Sequence, residues 1–278
     1  MESAIYIVAT PIGNLSDITI RALEVLAGVD LIAAEDTRHT KRLLDHHGIR
    51  AKLISYHEHN ESEKALSIVE EVKNGKSVAL VSDAGTPLIS DPGHALVGLA
   101  KSANVKVVPV PGPSALIAAL SASGIPCGRF IYEGFLPVKQ QARETFLERF
   151  RYEDRTVVFY ESPHRVVDTL EMLARLFPDR VMVIARELTK RFETITRGKV
   201  KELMQWTIAE EDQKRGEFVL ILAGADTLEK SADFASQDKL LQKLLKHLPP
   251  KKAVQIVAEV YSGDKKELYE RAIELKNT

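Results

Sequence analysis

One cysteine, one tryptophan and four methionines among 278 residues leave several chemistries without material. A lone Cys127 excludes an internal disulfide and a thiolate-only metal site within one chain, and it fits a reducing compartment. Its side chain is expected to be a small buried hydrophobe, the usual state of a free cysteine. Long apolar runs are also missing: no segment reaches the roughly 18 uncharged apolar residues that a membrane-spanning helix needs. The chain runs straight into Ile5-Tyr6-Ile7-Val8-Ala9 without a basic leader, so a soluble cytoplasmic protein is expected. Charge of one sign is scarce as well. Thirty-eight Lys and Arg stand against 39 Asp and Glu, a net charge of −1, so any nucleic-acid footprint must be local. The motifs H-E-x-x-H, G-x-S-x-G, G-x-G-x-x-G and the P-loop are all absent, which removes support for zinc hydrolysis, a serine nucleophile, a dinucleotide fingerprint and a Walker-type ATPase. His57-Glu58-His59 has an i,i+2 spacing that suits an exposed loop better than a ligating helix face, so no metal is expected.

What is present is ample apolar material, 45% of the chain, in a pattern of short β-branched runs alternating with helical stretches. Strands are expected at residues 4–9, 29–34, 51–55, 77–82 and 105–110, with helices at 19–27, 61–73, 92–103 and 113–123. The turn-rich stretch Ser123-Gly124-Ile125-Pro126-Cys127-Gly128 then breaks the pattern. A second set follows, with strands at 129–134, 155–161, 180–185, 192–197 and 217–223 and helices near 139–151, 164–177 and 199–209. Alternation of this kind predicts two α/β domains, over 1–123 and 124–224, the first a parallel sheet and the second mixed. Residues 225–238 read as a polar linker, and 239–278 as a basic helical segment. From Gln237 to Thr278 eight Lys and one Arg face six Asp or Glu, a local charge of +3. Either a solvated bundle or a nucleic-acid surface accounts for that excess.

Three loops at expected strand ends carry too much rigidity to be ordinary connections. They are Thr10-Pro11-Ile12-Gly13-Asn14-Leu15, the stretch from Ser82-Asp83-Ala84-Gly85-Thr86-Pro87 to Ser90-Asp91-Pro92-Gly93, and Pro111-Gly112-Pro113-Ser114-Ala115. Glycines let backbone amides approach a ligand closely, prolines hold the loop shape, and Asp83 supplies an acceptor or a negative charge. Loops at the carboxyl edge of a parallel sheet are where α/β proteins bind small molecules.

These strings, with Ala33-Ala34-Glu35-Asp36-Thr37-Arg38, Tyr132-Glu133-Gly134-Phe135-Leu136-Pro137, Phe159-Tyr160-Glu161-Ser162 and Ala185-Arg186-Glu187-Leu188-Thr189-Lys190, resemble the small-subunit ribosomal RNA methyltransferases of the tetrapyrrole methylase superfamily. The resemblance runs in order over residues 4–222. It implies two α/β domains with S-adenosylmethionine in the cleft between them, a small C-terminal helical appendage, and a homodimer without membrane association. It also implies 2′-O-ribose methylation of a cytidine in the decoding region of small-subunit (16S) ribosomal RNA, as free RNA or in the assembled subunit. By the same resemblance Pro11, Asp83, Ala84, Gly85, Thr86, Ile89, Ser114, Ala115, Glu161 and Leu188 are expected at the cofactor. A proton acceptor for the ribose is sought among Asp36, His39, Glu133, Glu187 and Lys190. RNA contacts are expected from Arg38, Lys41, Arg42, Arg186, Arg191, Lys251, Lys252, Lys265 and Lys266. Where porphyrin-precursor methylases carry a glycine-rich first loop with an acid, this chain has Pro11-Ile12-Gly13-Asn14-Leu15, which points away from a tetrapyrrole substrate. Methylation of a tetrapyrrole-like small molecule, or a non-enzymatic RNA-binding factor, are the other readings of the same fold.

Overall fold

In the computed structural model, residues 1–261 and 265–276 are described; for 227–235 and residue 276 the description is of the backbone alone. The first sheet forms from β1 (Ile5–Val8), β2 (Leu31–Ala34), β3 (Leu53–Ser55), β4 (Val78–Val81) and β5 (Val107–Val110), in the spatial order β3-β2-β4-β1-β5. Every pairing in it is parallel. Helices α1 (Ile20–Gly28), α2 (Thr37–His46), α3 (Glu61–Lys73) and α4 (His94–Ser102) cover the two faces. Ile32 and Ala34 point to one face and Leu31 and Ala33 to the other, so both sides carry an apolar core and the strands read as continuous hydrophobic runs.

The order matters for the site. Strand β1 lies between β4 and β5, so the three rigid loops that leave these strands sit side by side at one edge.

The second sheet contains β6 (Phe130–Phe135), β7 (Thr156–Glu161), β8 (Val181–Arg186), β9 (Thr194–Lys199) and β10 (Phe218–Leu222), ordered β6-β7-β10-β8-β9. Only β6 and β7 pair in parallel; the other three ladders are antiparallel. Helices α6 (Gln140–Glu148), α7 (Val166–Leu176) and α8 (Val200–Ala209) pack on one face around Phe159, Leu170, Leu173 and Leu220. The other face is covered by α5 (Ala115–Ala122), which belongs in sequence to the first half. Ile12, Leu116, Ala119 and Leu120 bury against Val158, Val183, Ala185, Leu188, Val219 and Ile221, a single core shared by the two halves of the chain. Burying each such large aliphatic side chain contributes about 1.5–3 kcal/mol.

Three helices close the chain: α9 (Thr227–Leu245), α10 (Pro250–Tyr261) and α11 (Lys265–Lys276). They have their own core of Leu241, Ala253, Val254, Val257, Leu268 and Ala272. Two expectations are corrected here. Most of the expected linker is the first half of α9, which begins at Thr227 rather than near 239. Cys127 is exposed in the turn before β6, not buried. Residues 262–264 and 277–278 of the expected basic segment lie outside the described residues.

Candidate active site

The loops after β1, β4 and β5 are stitched to one another by short-range polar contacts. Thr10 and Gly85 exchange backbone hydrogen bonds of 2.9 and 3.0 Å, an isolated antiparallel bridge between the first two loops. The Thr10 hydroxyl donates to the Ser82 carbonyl at 3.1 Å, and the Thr86 hydroxyl donates to the Pro113 carbonyl at 3.1 Å. Strand β2 joins the same edge, because Asp83 Oδ1 accepts from the backbone N–H of Asp36 at 2.9 Å. The second sheet meets this edge through two tyrosines. Tyr160 accepts at its hydroxyl from the N–H of Leu116 at 3.0 Å, and Tyr132 OH lies 2.6 Å from Ser90 Oγ. Their rings pack edge to face, 5.0 Å between centroids.

Between the two halves lies a cavity of about 340 Å³, within the size class of small-molecule sites. Its walls include Ile12, Ile89, Ala115, Leu188, Phe218 and Val219, a surface suited to a flat apolar group. Its charged lining is acidic: Glu35, Asp83, Asp91, Glu161 and Glu217. That combination favours a ligand with an apolar ring and a positive charge. Of the residues expected at a cofactor, Asp83, Ala84, Gly85, Thr86, Ile89, Ser114, Ala115, Glu161 and Leu188 line this cavity. Pro11 does not line it; its neighbour Ile12 does.

Backbone strain gathers at the same place. Leu88 and Ser90 in the β4 loop have φ of 73° and 68°, and Glu187 and Thr189 in the β8 loop have φ of 50° and 66°. Non-glycine residues in this region cost of order 1–3 kcal/mol each and persist where the surroundings over-determine them. Glu161 is over-determined too. Its carboxylate pairs with Arg165 at 2.7 Å and accepts from the Ser162 N–H and the Thr169 hydroxyl, each at 2.8 Å. Thr169 in turn accepts from the buried Arg143 at 3.0 Å.

The expected proton acceptors fare differently. None of Asp36, His39, Glu133, Glu187 and Lys190 lines the cavity. Asp36 caps α2, accepting from the Arg38 N–H at 2.8 Å, and the Arg38 side chain is the first cause holding its carboxyl well below the ordinary range. Lys190 binds Glu187 and Glu217, each at 2.9 Å, and its stem packs where Gly13 lacks a side chain. Burial alone would depress the Lys190 ammonium, but those two carboxylates outweigh it and hold it above the ordinary lysine value. Burial likewise opposes ionisation of Glu187, and the Lys190 hydrogen bond outweighs it, so this carboxyl sits low. A lysine held protonated and carboxylates held ionised by ion pairs are weak bases. Glu133 is half-buried on β6 and His39 is exposed on α2. Three acids missed by the sequence reading, Glu35, Asp91 and Glu217, do line the cavity, and burial is the first cause raising Glu35 and Asp91.

Among the expected RNA contacts, Arg186 is corrected. It is buried, and its guanidinium donates to the carbonyls of Asp212 and Arg215 at 3.0 and 3.1 Å. Arg38, Lys41, Arg42 and Arg191 are exposed around the cavity-side loops, with Arg191 resting over the Phe192 ring, 5.5 Å from its centroid. Lys251, Lys252, Lys265 and Lys266 are exposed in the first turns of α10 and α11.

Comparison with known proteins agrees with this geometry. Residues 4–204 match the family described as Tetrapyrrole (Corrin/Porphyrin) Methylases, and residues 231–276 match the RsmI C-terminal HTH domain. A Haemophilus influenzae protein named Ribosomal RNA small subunit methyltransferase I is 52% identical over 272 residues, covering 97% of this chain and 96% of the relative. Among solved structures, the methyltransferase CobJ superposes with a TM-score of 0.59 at 20% identity, covering 80% of this chain and 94% of that one. A uroporphyrin-III C-methyl transferase from Thermus thermophilus, complexed with S-adenyl homocysteine, gives a TM-score of 0.53 at 18% identity, covering 79% and 97%. The two-sheet fold is thus shared with these enzymes, and the chain belongs to the tetrapyrrole methylase family, within its ribosomal RNA small subunit methyltransferase I group.

Proposed function

We propose that this chain transfers a methyl group from S-adenosylmethionine to small-subunit ribosomal RNA, at the ribose 2′-hydroxyl of a cytidine in the decoding region. The observation that carries the reading is the conjunction of near-full-length relatives of that name with a cavity whose donor set fits the methyl donor. Apolar walls suit an adenine ring, the backbone of Ala84-Gly85-Thr86 offers close polar contacts, and the Glu35 and Asp83 carboxylates supply negative charge for a cationic ligand. When bound, S-adenosylmethionine supplies an electrophilic methyl group on a sulfonium. The residues of this chain hold the two reactants in one cleft and exclude water, and positioning of this kind can remove roughly 7–11 kcal/mol of barrier.

Exposed lysines on α10 and α11 and the helix-turn-helix match support RNA contact by the C-terminal helices. Exposed Phe130, Phe135 and Val138 on and beside the edge strand β6 support a homodimer. No helix among the described residues is long and apolar enough to cross a membrane, which accords with action on ribosomes in the cytoplasm.

Incubation with methyl-tritiated S-adenosylmethionine and small ribosomal subunits lacking the modification should label the RNA at one ribose. Label appearing in porphyrin precursors and not in RNA would overturn the reading. The C-terminal contribution has its own test. Lys251→Ala with Lys252→Ala should weaken binding to the subunit and lower the salt slope, log K against log salt, by about 1.5 units, since each lost phosphate contact removes about 0.7–0.9. Cofactor affinity should be unchanged, and an unaltered slope would assign these helices another role.

A further inference from the structure

The proton of the ribose hydroxyl needs an acceptor, and the cavity holds five acids that could take it. Three are already engaged. Glu161 is held by Arg165, Ser162 and Thr169. Glu217 is paired with Lys190, and Asp83 accepts from the Asp36 N–H. Glu35 receives the N–H of Asp83 at 3.4 Å. Asp91 differs from all of these. The groups that face it are the Ser82 hydroxyl, the Glu35 and Asp83 carboxylates, and the Tyr132 and Tyr160 phenols, with no cation among them.

Its placement is fixed by the chain on both sides. Ser90 before it is held in the left-handed region and bonded to Tyr132 of the opposite half, and Pro92-Gly93 follows, with Gly93 at φ 141° against Leu80 and Leu88. Such a loop presents one side chain at the seam of the two halves, where a cofactor bound to the first-sheet loops and an RNA entering from outside must meet.

Resting on the functional reading above, we propose that Asp91 is the group that accepts the proton of the ribose 2′-hydroxyl during methyl transfer. The ribose oxygen bonds to the methyl carbon while the sulfur–carbon bond breaks and its electron pair stays on sulfur, leaving S-adenosylhomocysteine. The hydroxyl proton passes to the Asp91 carboxylate and from there to solvent. Burial first, and the Glu35 and Asp83 charges after it, push the Asp91 carboxyl up to about 6 against the opposing Ser82 hydrogen bond. It is therefore ionised at neutral pH and basic enough to receive a proton.

The same shift gives a readout independent of turnover. The folded-state value lies above the ordinary aspartate value of about 3.9, so the folded protein binds the proton more tightly than the unfolded chain. Stability from this group is fully present below about pH 4 and is lost as pH rises through about 6. Asp91→Asn keeps the shape and removes the charge. It should melt roughly 2 °C or more above the wild type at pH 8, with the gain gone at pH 4. In the free wild-type protein, the infrared carbonyl band of one protonated carboxyl should vanish near pH 6, and Asp91→Asn should lack it.

Activity supplies the other half of the test. With S-adenosylmethionine and unmodified subunits, Asp91→Asn should lose roughly a hundredfold or more in single-turnover rate, while calorimetry finds cofactor affinity within about threefold of wild type. The acid limb of wild-type kcat/KM, which reports the free enzyme, should fall below about pH 6 and be absent in the variant. A folded variant with an unchanged rate and pH profile overturns the assignment. Lost cofactor affinity with normal transfer at saturation also overturns it, making Asp91 a counter-ion for the cofactor. A wild type that methylates no RNA sinks the functional reading itself, a result distinct from either.

Discussion

Gly85→Val should abolish measurable binding of S-adenosylmethionine while leaving a folded protein. Gly85 has φ 82°, a conformation that a β-branched residue adopts only under strain. Its amide and carbonyl both bond to Thr10, so the turn cannot swing to a negative φ without breaking the bridge between the first two loops. An added Cβ would lie 3.4 Å from Ile12 Cγ2 and 3.8 Å from the Pro113 carbonyl. The Cβ itself fits; the two methyls beyond it must press on Ile12 or enter the cavity that Ile12 lines. Backbone strain is thus the first cause and crowding the second. Affinity should fall by at least about a hundredfold, the size of a 2–3 kcal/mol penalty. Gly85→Ala, which adds strain without the methyls, should lose less. Calorimetry on both variants, with circular dichroism to confirm folding, measures the difference. Wild-type affinity in folded Gly85→Val would place the cofactor away from this loop.

Gly224→Ala should cost more stability than any substitution of similar size on the cavity loops. Gly224 follows β10 and lies against the backbone of Asp154, and a Cβ there would fall well inside contact distance of the Asp154 carbonyl oxygen and carbon. The obstacle is main chain and cannot turn aside as a side chain would. Its neighbour Ala225 donates to the Glu153 carbonyl at 2.6 Å, so relieving the clash means breaking that bond as well. A loss of about 3 kcal/mol is expected, at the upper end for an overpacked site. For a chain of this length that is a fall of roughly 6–12 °C in melting temperature. An unchanged melting temperature would mean that the 153–154 turn moves freely from β10.

The layering was readable because burial on both faces leaves a pattern in the residues. β1, β2 and β4 are short uninterrupted apolar runs, which is how strands covered on both sides must read. The central place of β10 is written the same way in Phe218–Leu222, fully buried, while the alternation of Thr194–Lys199 marks β9 as an edge. Helix α2 carries no apolar stripe from Thr37 to Arg42; the signal available was Asp36 before Thr37 and Arg38, an N-cap. The start of α9 was missed for a similar reason, its first turns being polar and weakly periodic in sequence.

The cofactor loops were legible through their glycines and prolines, which constrain the backbone locally. The roles of charged side chains were not, because they depend on partners far away in sequence. Arg186 meets carbonyls 26 and 29 residues on, and Lys190 meets Glu217 from 27 residues away. Asp91 sits in one of the recognised loops, yet its unusual surroundings come from Glu35, Tyr132 and Tyr160, which only folding assembles.

The unequal sharing of cores bears on how such a protein can change over generations. Helix α5 lies on the second sheet although it follows the first, so neither half could be exchanged between genes without leaving an oily face uncovered. The closing three helices have a core of their own and touch the rest through contacts such as Gln237 with Tyr152. Recombination can therefore replace that final cassette while the two-sheet unit is inherited whole, and with the RNA contact proposed for these helices, divergence in the RNA addressed would proceed there without disturbing the cavity.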